Sequence, residues 1–192
     1  MSEEVEVERL IRGADGGDDE ARRQLMSRLY GELRGVARRQ LLGASADRTL
    51  NTTALVHETF LRLARLEQVE FSTRARFLAY SARVMRNVLI DEARQKSADK
   101  HGGHLFRVEW SDESSEDTML PEQLLALDQA LSELDEVNPK LARVIELRVF
   151  GGLSAEECAE AMEISLRSVH RYARTARAIL APILRPAPRG DE

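Results

Sequence analysis

Between Ser165 and Arg174 lie two serine hydroxyls, an imidazole and three guanidinium groups: Ser165, Arg167, Ser168, His170, Arg171 and Arg174. Guanidinium groups donate to phosphate oxygens, and short hydroxyls, imidazole and the arginine fork also reach base edges in the major groove. The charged residues from Ser165 to Gly190 are Arg167, Arg171, Arg174, Arg177, Arg185 and Arg189, with no acid among them. Such a block fits a polyanion.

A second basic stretch precedes it. Arg74, Arg76, Arg83, Arg86, Arg94, Lys96 and Lys100 face only Asp91, Glu92 and Asp99. The acids that bring the formal net charge to -5 sit elsewhere, in residues 3–20 and between Glu109 and Glu136. A partner feels the local field over about 10 Å in physiological salt, so distribution outweighs the sum. Two basic surfaces separated by an acidic connector suit a protein that grips a polyanion at two points.

Other chemistries lack their residues. His57-Glu58 would open a zinc-protease motif only with a second His at position 61, which is Leu61. The chain shows no phosphate-cradling glycine loop, no nucleophile elbow and no isolated carboxylate pair in apolar surroundings, so we expect neither enzymatic activity nor a cofactor or metal. Cys158 is the single cysteine; without a second thiol it forms no internal disulfide, which suits a reducing compartment. The acidic start MSEEVEVERL is unlike a signal peptide, and no run of about 18 apolar residues could span a bilayer. A cytoplasmic protein is the expectation.

The elements that position these groups are helical. Aromatic residues make up only 5% of the chain, and the dominant Leu, Ala, Arg and Glu lose little side-chain freedom in a helix. Asp18 and Asp19 can cap a helix carrying Leu25, Leu29, Leu33, Val36 and Leu41 and ending near Gly43. A loop to Thr53 follows, then a helix from Ala54 to Leu66 and a longer one from Thr73 to Gln95, with Phe77, Tyr80, Val84 and Val88 inward. Residues 98–121, with paired glycines, serines and five acids from Glu109 to Asp117, read as a flexible acidic linker in which Phe106 and Trp110 are the large apolar residues.

From Glu122 a second unit begins. Leu124, Leu127, Leu131 and Leu134 form one stripe, Pro139 opens the next helix, and Gly151-Gly152 stops it. Ser154 and Glu157 have the spacing of a capping box. Ser165 caps a last helix, so that Ser154 to Arg177 has helix-turn-helix mechanics, with Ala159 small at the crossing and Ile164 and Val169 inward. Glu163 stands in the turn where glycine would be relaxed. The fold class is therefore all-α: a helical bundle at 1–97, the linker at 98–121 and a helix-turn-helix domain at 122–192.

The stretch ELRVFGGLSAEECAEAMEISLRSVHRYARTARAIL is similar to the promoter-binding C-terminal domain of the sigma-70 family, particularly its extracytoplasmic-function (ECF) group; it includes the Phe-Gly-Gly-Leu-Ser lead ending at Ser154 and the Ala-Arg-x-x-Leu close at Ala176 to Leu180. ARFLAYSARVMRNVLIDEARQ resembles the second conserved sigma region, through Phe77, Tyr80, Arg86-Asn87, Asp91 and Arg94, with Tyr80 where Trp is commoner. TALVHETFLRL, from Thr53 to Leu63, resembles the helix that docks on the coiled coil of the largest polymerase subunit, with Ala54 and His57 replacing its usual acid and Gln.

The resemblance implies a sigma factor that binds core RNA polymerase and directs initiation at promoters. It implies minus-35 reading by Ser165, Arg167, Ser168, His170, Arg171 and Arg174. Minus-10 melting would fall to Arg76, Tyr80, Arg83, Arg86, Asn87, Asp91 and Arg94. An aromatic or arginine surface can cradle an extruded base while cations follow the backbone of the strand. Polymerase docking would use Leu55, Glu58, Phe60, Leu61 and Arg62. An anti-sigma factor is the further partner implied. The alternative is an operator-binding regulator that never joins polymerase; it accounts for the second unit and leaves the first without a task.

Overall fold

The computed structural model describes residues 3–41, 52–64, 73–98, 106–109 and 116–184. The loop after Gly43, the helix end expected at Leu66, Trp110, and Arg185 and Arg189 lie outside them.

The N-terminal half holds α1 (Glu3–Asp15), α2 (Asp19–Leu41), α3 (Thr52–Ala64) and α4 (Arg74–Ala98). Helix α1 occupies the acidic lead, where no helix was expected. Its charged residues alternate with Val7, Leu10 and Ile11, which lie three and one residues apart on one face and are buried. Asp18 caps α2 as expected: its carboxylate accepts from the backbone N–H of Glu20 and Ala21, at 2.9 and 3.1 Å.

Residues 98–121 are not wholly without regular structure. Strands β1 (Phe106–Glu109) and β2 (Glu116–Met119) pair antiparallel, with Phe106 opposite Met119 and Glu109 opposite Glu116. Strand β1 contacts α2. The two strands lie within the interval read as an acidic linker. The apolar-polar alternation Phe-Arg-Val-Glu is the period-two signal of a strand, too short to stand out beside the acids and glycines.

The C-terminal half is α5 (Pro121–Val137), α6 (Pro139–Val149), α7 (Ala155–Met162) and α8 (Leu166–Leu184). Leu124, Leu127, Leu131 and Leu134 are all buried, as their spacing required. Prolines at the first positions of α5 and α6 remove N–H groups that no helix could satisfy there. The protein is all-α apart from the small hairpin.

The two halves share one apolar core that runs from Val7 to Leu180. Helix α4 is the hinge of this packing, touching α3 on one side and α5, α6 and α7 on the other. Small side chains make the approach close. Ala79 and Ala82 on α4 are buried, and a Cβ added at Gly151 would stand 2.8 Å from that of Ala82 and 2.7 Å from the Leu147 carbonyl oxygen. Arg143 crosses the same seam and donates to the Ala79 carbonyl at 2.9 Å.

Candidate nucleic-acid interface

The helix-turn-helix is built from its caps outward. The Ser154 hydroxyl accepts from the Glu157 N–H at 3.2 Å while the Glu157 carboxylate accepts from the Ser154 N–H at 2.8 Å, so two unpaired donors of α7 are satisfied reciprocally. The turn then passes through Glu163 at φ 54° and ψ 44°, left-handed and uncommon for a residue with a Cβ. Two backbone bonds hold it there, from the Glu163 N–H to the Glu160 carbonyl at 3.1 Å and from the Ile164 N–H to the Ala159 carbonyl at 3.0 Å. Ser165 opens α8 by accepting from the Ser168 N–H at 3.2 Å.

Helix α8 buries Val169, Ala176 and Leu180. The opposite face presents Ser165, Arg167, His170, Arg171 and Arg174 to solvent, with Ser168 half-buried at its edge. Arg167, Arg171 and Arg174 make no ion pair with any described residue. The Arg171 guanidinium rests 5.1 Å above the Tyr172 ring, which orients it without neutralising it. Thr175, four residues after Arg171, is exposed on this face too. The sequence reading passed over it because an isolated hydroxyl among arginines carries no pattern of its own.

On α4, Arg76, Tyr80, Arg83, Asn87, Asp91 and Arg94 recur every three or four residues and share one stripe. Arg76, Arg83, Asn87 and Arg94 are exposed, and Tyr80 and Asp91 are half-buried. Arg86 lies off the stripe, turned toward α5. There its Nε donates to Asp128 Oδ1 at 2.8 Å, and its Nη2 donates to the Asp128 carbonyl at 2.9 Å and the Ser132 hydroxyl at 3.2 Å. Asp128 also stands 3.8 Å from Arg94, and Arg76 is ion-paired with Glu163. Three of the four stripe and flank arginines thus already hold a carboxylate of the C-terminal half.

Arg74 belongs to this region and was not singled out from sequence beyond its place in a basic block. It bridges Glu32 on α2, at 2.6 Å, and Glu157 on α7. The Glu32 carboxylate, with Glu157 beside it, holds its guanidinium above the ordinary arginine value. These residues, with Arg28, Arg148 and Ser154, line a polar cleft of about 670 Å³ between α2, α4 and the α6–α7 turn.

The docking candidates on α3 divide. Leu55 is fully buried, so it is core and cannot meet a partner. Its position, six residues before Leu61, places it on a different side of the helix. Phe60 is half-buried against Tyr30, ring edge to face at 5.8 Å. Leu61 is 38% exposed. Arg62 donates to Glu58 at 2.9 Å and to Asp91 of α4 at 3.3 Å, which ties the α3 surface to the α4 stripe.

Among the described residues no group of three His, Cys, Asp or Glu could hold a metal, and no helix is long and apolar enough to cross a membrane. A helix-turn-helix whose second helix offers an arginine face without ion pairs among the described residues, on a scaffold with a second arginine-bearing helix, has the form of a DNA-binding protein. The family model described as ECF sigma factor matches residues 4–185, and the chain belongs to that family. A comparison with curated proteins found no match. As a family member it is a specificity factor of transcription initiation, which binds core RNA polymerase and promoter DNA rather than catalysing a reaction.

Proposed function

We propose that the two halves divide the promoter between them. Helix α8 reads the minus-35 element as duplex, with Ser165, Arg167, Ser168 and His170 toward base edges and Arg171 and Arg174 toward phosphate. The α4 stripe, Arg76, Tyr80, Arg83, Asn87, Asp91 and Arg94, with Arg86 on its flank, takes the melted non-template strand of the minus-10 element. Helix α3 docks on the coiled coil of the largest polymerase subunit through Leu61, with Glu58, Phe60 and Arg62 around it. The residues then group as a docking and melting domain at 1–97, a connector at 98–121 and a duplex-reading domain at 122–192.

The observation that carries this reading is the pair of arginine faces on separate helices of one ECF chain, one already exposed and one beside the docking helix. Family membership also supports an anti-sigma partner that covers one of these faces. The test is reconstituted transcription: the protein with sigma-free bacterial core polymerase and a library of promoter fragments, against core alone. Specific initiated transcripts are expected. Duplex binding with neither core binding nor transcripts would overturn the reading in favour of an operator-binding regulator.

A further inference from the structure

None of the residues assigned to promoter or polymerase lines the cleft between α2, α4 and the α6–α7 turn. Its volume of about 670 Å³ is that of a small-molecule site. Three guanidinium groups from three helices line it, those of Arg28, Arg74 and Arg148, against two carboxylates, Glu32 and Glu157, both held by Arg74. Arg148 donates to the Leu153 carbonyl at 3.0 Å, a neutral acceptor that fixes the guanidinium without consuming its charge. Arg28 meets Glu6 of α1 at 3.2 Å, with side-chain exposures of 31% and 39%. Solvent weakens such a pair, so a better acceptor can take this guanidinium. Val36, Leu78 and Leu153 supply an apolar wall beside these cations.

The α2 wall of the cleft is cut back at Gly31 and Gly35, one helical turn apart on the side that lines it. Packing does not require these glycines, because a Cβ added at either would meet nothing within 4 Å. Each loosens the helix relative to alanine. Helix α2 bears that cost, and what it gains is open space beside the arginines.

We infer that the cleft is a binding site for a phosphorylated small molecule of nucleotide size, with its phosphoryl oxygens on Arg28 and Arg148 and its less polar body against Val36, Leu78 and Leu153 beside the two glycines. The guanidinium fork matches phosphate oxygens in both geometry and charge. Arg74 keeps Glu32 and Glu157 and so holds the α2 and α7 walls of the site together. An inorganic ion would use the cations alone; the apolar wall calls for a ligand with a body. The site does not depend on the promoter assignment, since no residue is shared between them.

The test is titration calorimetry on the full chain without DNA, with adenosine diphosphate, guanosine diphosphate and inorganic pyrophosphate as probes and sodium sulfate at matched ionic strength as the control. At least one nucleoside diphosphate should bind below about 1 mM and about tenfold or more tighter than pyrophosphate, because only the nucleotide reaches the apolar wall. Two variants change the cleft independently. Gly31→Leu with Gly35→Leu fills the α2 wall and should hold or raise the thermal midpoint while weakening nucleotide binding about tenfold or more. Arg28→Gln removes one phosphate donor and should weaken it to a similar extent.

No probe bound below about 1 mM, or pyrophosphate bound as tightly as the nucleotides, overturns the inference. So does unchanged nucleotide affinity in either cleft variant; should one of them fail to fold, the other decides. Arg171→Ala with Arg174→Ala examines the other arginine face, and loss of the nucleotide there would place the anion on α8 and overturn the cleft site. Nucleotide binding in the cleft without transcripts in the reconstituted assay keeps the site and removes the promoter reading, and transcripts without nucleotide binding do the reverse.

Discussion

Arg86 and Asp128 stand 42 positions apart in the chain, yet the arginine clasps the aspartate twice, through its carboxylate at 2.8 Å and its backbone carbonyl at 2.9 Å. The pair is largely shielded, with side-chain exposures of 15% and 22%. A charge-assisted, forked contact of this kind is stronger than a surface ion pair. Replacing Arg86 with Ala should lower stability by about 1–3 kcal/mol, because Asp128 loses its main cation in a half-buried place. Urea unfolding measures it, and an unchanged midpoint would show that the seam between the halves does not depend on this contact.

Glu163 offers a cleaner comparison. Both Glu163→Gly and Glu163→Ala delete the carboxylate that meets Arg76, so they differ in backbone freedom alone. At φ 54° the glycine variant should be more stable than the alanine variant by about 1 kcal/mol. Equal thermal midpoints would mean that the turn relaxes out of the left-handed region.

Removal of both Arg171 and Arg174, as alanines, should weaken binding to duplex promoter DNA. If both meet phosphate, the slope of log affinity against log salt becomes shallower by about 2. Filter binding across a salt series decides it; unchanged affinity and slope would take α8 out of the DNA interface.

Leu61 and Leu55 should separate docking from folding. Leu61→Asp, at a 38% exposed position, should leave the unfolding free energy within about 1 kcal/mol and abolish association with core polymerase in a pull-down. Leu55→Ala, at a fully buried one, should cost about 2–5 kcal/mol. Retained polymerase binding in a folded Leu61→Asp protein would move the docking surface elsewhere.

Much of the architecture was legible because its signals are local. The leucine stripe of α5, the capping box of Ser154 and Glu157 and the inward Val169 of α8 each depend on residues within a turn or two, and each appears as expected. Helix α1 carries its signal in Val7, Leu10 and Ile11, an apolar stripe too narrow to stand out among the surrounding acids. The hairpin could not be read with any force, since a four-residue strand gains its stability from pairing with a partner that the alternation does not name.

The sequence by itself determined the helical class, the helix-turn-helix and the arginines available to meet nucleic acid, because periodicity, caps and charge are properties of neighbouring residues. Only the tertiary structure decided which arginines are free. Arg171 and Arg174 face solvent, whereas Arg76 and Arg86 meet Glu163 and Asp128, partners 87 and 42 residues distant. Such pairs form when two apolar surfaces close and bring their rims together, and no spacing along the chain encodes that distance.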